Sequence, residues 1–171
     1  TENITGKCGG TAEASGSESK YKVTFNNFCE DGITINGTVS GSETESSSSW
    51  SSKNVSITTT DGTMTFSGSG TCTYTETEDT ETETCTQNIK VTANGITNSA
   101  SFTEVCVSSY SPSYQETCTE TEYIKAANGL TYQVEDSEVN GNNTYGWDVE
   151  GTFYDPTHGS IDFEASDILG I

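Results

Sequence analysis

Polar and apolar positions alternate along most of the chain, and from Thr63 to Ala93 the alternation mirrors itself about Glu78-Asp79. Folding the chain there sets residue i opposite residue 157 − i. Cys72 then faces Cys85, and Thr71/Thr86, Thr73/Thr84, Thr75/Thr82 and Thr77/Thr80 pair on the other side. Side chains alternate faces along a strand, so one register accounts for both the cysteine spacing and the threonine rows. The even positions run Met64, Phe66, Cys72, Tyr74 and then Glu76, which makes the hairpin apolar at its base and acidic at its tip. The pattern predicts a ribbon that projects beyond the core and is held by its disulfide.

Turn dipeptides divide the rest of the chain: Asp31-Gly32, Asp61-Gly62, Asn94-Gly95, Asn128-Gly129 and Asn140-Gly141. Such pairs supply the positive φ angles that tight hairpins need. The predicted strands span 21–28, 33–40, 54–60, 63–77, 80–93, 96–109, 114–127, 130–139, 145–154 and 159–165. Across Asn128-Gly129 simple pairing sets Ile124 against Gln133, so a bulge or a change of sheet is expected there. Ala12–Ser19 carries no pattern, and the serine run Ser46–Ser52, broken by Trp50, reads as a loop. The expected fold is all-β: a long-stranded antiparallel meander forming a sandwich or partly open barrel. It would be one domain over 1–171, with a change of sheet near 41–53.

Composition agrees with strands and points to a thin core. Leu, Ile, Val and Phe total 27 residues, under a fifth of the chain, beside a net charge of −20. That mixture alone leans toward disorder, and the alternation and turn signals overrule it. The missing burial has to be offset by disulfides or by contacts between subunits. Six cysteines indicate an oxidising compartment, extracellular or periplasmic. The hairpin gives Cys72–Cys85, symmetry about Pro112 gives Cys106–Cys118, and Cys8–Cys29 remains. Zinc is disfavoured, since no C-x2-C spacing exists and there is one histidine. The chain opens on Thr1 without a visible signal peptide, which reads as the start of a processed, exported chain.

All six basic residues are lysines. A chain so acidic and free of arginine repels phosphate backbones, which excludes nucleic acid as a partner. No apolar run approaches the ~18 residues of a membrane span.

Chemistry is sparse. Glu76, Glu78, Asp79, Glu81 and Glu83 at the hairpin tip offer hard oxygen ligands for Ca²⁺, but no calcium-loop motif accompanies them. A solvated acidic face explains them as well. No other cofactor is expected. His158 lies beside Asp155 and Ser160, yet Asp-Pro-x-x-Gly is a common turn and no nucleophile elbow is present. Catalysis is therefore not expected. The face Thr71, Thr73, Thr75, Thr77, Thr80, Thr82, Thr84 and Thr86 could bind ice or carbohydrate; it could equally be the polar residue best suited to an exposed strand. Trp147 alternates with Val149 and Phe153 and reads as core, while Trp50 reads as exposed. Sequons at Asn3, Asn36, Asn54 and Asn142 are about as many as chance gives in a chain this rich in Ser and Thr, whose hydroxyls make a dense O-linked glycan a candidate addition.

Two segments, Val23–Val39 with its Phe-Cys-Glu-Asp-Gly turn and Gly151–Phe163 with Tyr-Asp-Pro-Thr-His-Gly, resemble secreted Thr/Ser-rich β proteins of Gram-negative bacteria. The resemblance implies export and β structure and carries over no functional residue. The expected role is a non-enzymatic extracellular or cell-surface structural protein, a subunit of a filament or matrix whose partners are copies of itself. Ile161, Phe163, Ile168, Leu169 and Ile171 are the candidate assembly strand, added to a neighbour's sheet edge. The alternative is a secreted carbohydrate- or ice-binding module.

Overall fold

A computed structural model describes residues 1–110, 115–142 and 146–168, with side chains described outside 136–147 and 166–168. Twelve strands follow in order: β1 (Glu2–Thr5), β2 (Gly9–Ser17), β3 (Lys20–Glu30), β4 (Ile33–Thr44), β5 (Ser47–Thr59), β6 (Gly62–Glu76), β7 (Thr80–Ala93), β8 (Ile96–Ser109), β9 (Gln115–Lys125), β10 (Thr131–Asn142), β11 (Gly146–Asp155) and β12 (Gly159–Ile168). Each pairs with its chain neighbours, so one sheet runs from β1 to β12 in sequence order. The all-β antiparallel meander is therefore present. The sheet is not closed: β1 and β12 stand at the two ends of its strand order.

Contacts divide the chain into two compact units: Thr1–Thr71 with Gln87–Ser99, and Cys72–Thr86 with Ala100–Ile171. In the first unit one face carries Ala12, Phe25, Val39 and Val55, of which Ala12 and Val55 are buried. Among the described residues the buried apolar side chains are Ala12, Val55, Cys85 and Cys118, and no large one is fully buried. The thin core expected from composition is what the fold has.

Departures from the expected layout include Asn140-Gly141, which lies within β10 opposite Asp148 and Trp147 and not in a turn, and three further features. Ser47–Ser52 belong to β5 and not to a loop, so the sheet continues through 41–53 without a change. Cross-strand hydroxyl pairs explain this: Ser40/Ser51 and Ser42/Ser49 lie 2.9 Å apart, as do Thr44/Ser47. The residues read as unpatterned, Ala12–Ser19, contribute most of β2, paired with β3 through Ala12↔Phe25 and Ala14↔Val23. Finally, the loop after β9 closes with Ala126 N donating to Leu130 O at 2.9 Å, which sets Ile124 opposite Tyr132 and not Gln133. The expected bulge appears further on, between Val134 and Ser137.

In the first unit β3 and β5 each hold one extra residue against their neighbours. Pairing steps from Phe25 to Phe28 on β3 while β4 advances from Ile35 to Gly37, and β5 steps from Ser56 to Lys53 against Asn36 and Thr38. Asn27 (φ 48°) and Asn54 (φ 52°) absorb these bulges in the left-handed region, which Asn tolerates better than most residues. Gly37 (φ 111°) lies against the second bulge, where a Cβ would stand 2.6 Å from the Val55 Cα.

Candidate functional site

The three disulfides have the expected pairing. Cys8–Cys29, Cys72–Cys85 and Cys106–Cys118 join at Cα separations of 5.1, 4.1 and 4.0 Å. Each closes a loop of modest length and contributes about 2–4 kcal/mol by restricting the unfolded chain. In the second unit the two bridges stand on the same face of β6–β9. Ser108 Oγ donates to Glu116 Oε1 at 3.4 Å in the register set by Cys106–Cys118, which brings Glu104 and Glu120 opposite each other.

That face is acidic. Glu83 Oε1 lies 3.2 Å from the Cys85 sulfur, and Glu104 carries its carboxylate beside the Cys106–Cys118 bridge. A bridged sulfur has no proton to donate, so the first contact is a packing contact and not a hydrogen bond. Burial pushes the Glu104 carboxyl above its ordinary range, and the like charges of Glu83 and Glu116 add to it. Glu120 is raised for the same reason, with Glu122 and Glu104 as its like-charged neighbours.

The acids proposed for Ca²⁺ do not converge. Among the described residues, the groups that bring three ligand atoms together are Cys72/Glu83/Cys85 and Glu104/Cys106/Cys118. Each consists of two bridged sulfurs and one carboxylate, and a bridged sulfur is not a thiolate ligand. Glu81 instead accepts a hydrogen bond from the Tyr110 hydroxyl at 2.6 Å, and Asp79 O accepts one from Tyr110 N at 3.1 Å. The hairpin tip is thus tied to the end of β8 and does not project as a free ribbon. Glu76, Glu78 and Asp79 are exposed around it.

On the opposite face the threonine rows form as expected, Thr77 Oγ1 lying 2.8 Å from Thr80 Oγ1. The register places Thr73, Thr84, Val105 and Thr119 in one row across β6–β9, with Val107 of the next row exposed. Uncharged hydroxyl and methyl groups therefore extend over four strands, wider than the two-stranded pattern legible from the hairpin.

The remaining candidates have structural roles. Asp155 Oδ1 accepts from Thr157 N at 2.7 Å and His158 N at 2.9 Å, and lies 3.1 Å from His158 Nδ1. These bonds, the one from Thr157 N first, hold the Asp155 carboxyl below its usual range and close the β11–β12 turn. Asn36 Oδ1 accepts from Asn27 N at 2.8 Å, which commits that sequon side chain to the bulge. Trp50 is half-buried and not exposed: it stacks on Phe66 at 6.2 Å and lies over Gly68 and Gly70. The side chain of Trp147 lies outside those described. Of the assembly candidates, Ile161 (67% exposed) and Phe163 (37% exposed) stand on β12, and Ile168 closes that strand opposite Trp147. Leu169 and Ile171 lie outside the described residues.

Among the described residues no helix is long and apolar enough to cross a membrane. Comparison with family models, with curated proteins and with solved structures finds no match for the chain.

Proposed function

We propose that the chain is a non-enzymatic extracellular structural protein, a subunit of a surface filament or matrix that assembles by β-strand addition. The observation that carries this reading is the β12 end of the sheet. β12 pairs on one side with β11, ends the strand order, and exposes Ile161 and Phe163. A strand that exposes apolar side chains and, among the described residues, pairs along one edge is a template for another chain's strand. The scarcity of buried apolar side chains among the described residues supports the same reading, because contacts between copies would supply further burial. Three disulfides fit an oxidising extracellular setting, and the resemblance to secreted Thr/Ser-rich β proteins points the same way. The Ile161→Lys/Phe163→Lys variant tests it by electron microscopy and light scattering. Filaments of the parent chain and folded monomers of the variant are expected; a variant that polymerises like its parent overturns the reading.

A second reading rests on the uncharged face of β6–β9, whose hydroxyl and methyl rows support binding to ice or to a flat carbohydrate surface. Thr73→Lys/Thr84→Lys would remove such binding and leave assembly intact. Negative thermal-hysteresis and glycan-array measurements on the parent chain would end this option.

A further inference from the structure

The lysines of this acidic chain are segregated. In the first unit Lys22 pairs across β4 and β5 with Ser40 and Ser51, and Lys53 stands in the neighbouring row with Thr38 and Thr24. Lys22 and Lys53 line one shallow groove with Thr38, Ser40 and Ser51. Lys20 occupies the next row, opposite Ser42. Lys90 joins the same face through the β6–β7 register, in which a Cβ at Gly70 would touch the Gln87 side chain. Four of the six lysines thus share one hydroxyl-rich face. On the strands that build it, the acid facing the same way is Glu13, opposite Thr24 on β3. Among the described residues the lysine ion pairs are those of Lys7, with Glu30 and Asp31, away from this face.

We propose that this lysine face is a docking surface for the acidic, disulfide-bearing face of the second unit of another copy, joining copies head to tail. The inference rests on the assembly reading above and adds to it a contact separate from the β12 edge. Charge complementarity selects the occupant. The second unit's face presents Glu83, Glu104, Glu120 and Glu122, and its own lysine on β9, Lys125, sits at the opposite parity. The spacing agrees as well. Lys22 and Lys53 are two strands and one row apart, as are Glu83 and Glu120. With strands ~4.8 Å apart and ~6.8 Å per two residues, both steps come to about 12 Å. Because the contact joins two different surfaces, it is heterologous and passes from copy to copy as an open chain or a ring.

Charge reversal tests the pairing. Lys22→Glu/Lys53→Glu and Glu83→Lys/Glu120→Lys are each expected to weaken self-association by about tenfold or more in sedimentation at physiological salt. Mixed in equal amounts, the two variants should recover the parent's association, since each reversed face then meets its reversed counterpart. Recovery on mixing also shows that both variants are folded. If the parent assembles and both variants assemble equally well, or if mixing restores nothing, the face pairing is wrong while edge-strand assembly stands. If the parent stays monomeric and its lysine face instead binds an anionic polysaccharide such as polygalacturonate, both the pairing and the assembly reading fall.

Discussion

Glu83 holds its carboxylate 3.2 Å from the sulfur of Cys85, two residues along the same face of β7. Reduction of the Cys72–Cys85 bridge requires an incoming thiolate to attack one sulfur, form a mixed disulfide and expel the other as a thiolate. A fixed negative charge beside the target sulfur repels that nucleophile and opposes the charge left on the leaving group. Glu83→Gln should therefore speed reduction by glutathione several-fold, and reduction by the cationic thiol cysteamine much less. The two rates are read by quenched alkylation and mass mapping. Equal acceleration with both thiols would show that the substitution merely loosens the hairpin.

Glu104 and Glu120 give the acidic face a pH signature whose sign follows from linkage. Burial and like charges raise both carboxyls, so the folded state binds their protons more tightly than the unfolded chain does. Their ionisation costs stability above the folded pKa, and the cost is relieved as pH falls through it toward the ordinary carboxylate value. Glu104→Gln/Glu120→Gln should raise Tm at pH 7, and the difference should vanish below the ordinary carboxylate range. Glu30, lowered by its bond to Lys7, and Asp155, lowered by Thr157 and His158, work the other way. Their contribution is present above the ordinary carboxylate pKa and lost at the acid end. A Tm gap that persists unchanged to low pH would mean that the charges of Glu104 and Glu120 are not its origin.

Trp50 packs over a surface made for it. A Cβ at Gly68 would stand 3.0 Å from the Trp50 Cη2, and one at Gly70 3.0 Å from Cε2. The ring replaces the side chains that those two residues lack, and Tyr21 covers Gly41 in the same way one hairpin earlier. Trp50→Ala should cost about 3 kcal/mol, the lower end of aromatic truncations because the ring is half-exposed. Gly70→Val should be of similar severity, since it displaces the ring. Urea unfolding reads both, and a loss below about 1 kcal/mol for either would show that the ring adds little.

Much of this fold was legible because its hairpins are mirror sequences. Cys72/Cys85 and Thr77/Thr80 fix the central turn, and the same symmetry about Glu45-Ser46 pairs Ser42 with Ser49. The serine hairpin is harder to see: its inward face carries Gly41 and Trp50, so no run of apolar residues marks it as a strand. The bulges hide the rest. On β3 and β5 the inward residues step by three, Phe25 to Phe28 and Ser52 to Val55, which breaks the period of two that identifies a strand. The lysine face was equally invisible, because it is assembled from separate strands by registers that those bulges shift. An Asn at each slip, Asn27 and Asn54, is the signal available in the sequence.

Asn54 offers a direct test of that account. At φ 52° its backbone lies where a β-branched side chain clashes with its own carbonyl, at a cost of about 1–2 kcal/mol. Asn54→Gly should be close to neutral, because glycine enters this region freely but is more flexible when unfolded. Asn54→Val should lose about 1–2 kcal/mol, or shift the register of β5 by one residue to escape the strain. A shift would move Trp50 off Gly70 and turn Val55 outward, which tryptophan fluorescence and hydrogen exchange at Val55 would report. Equal stability of the Gly and Val variants, with unchanged fluorescence, would show that the left-handed residue does not set the bulge.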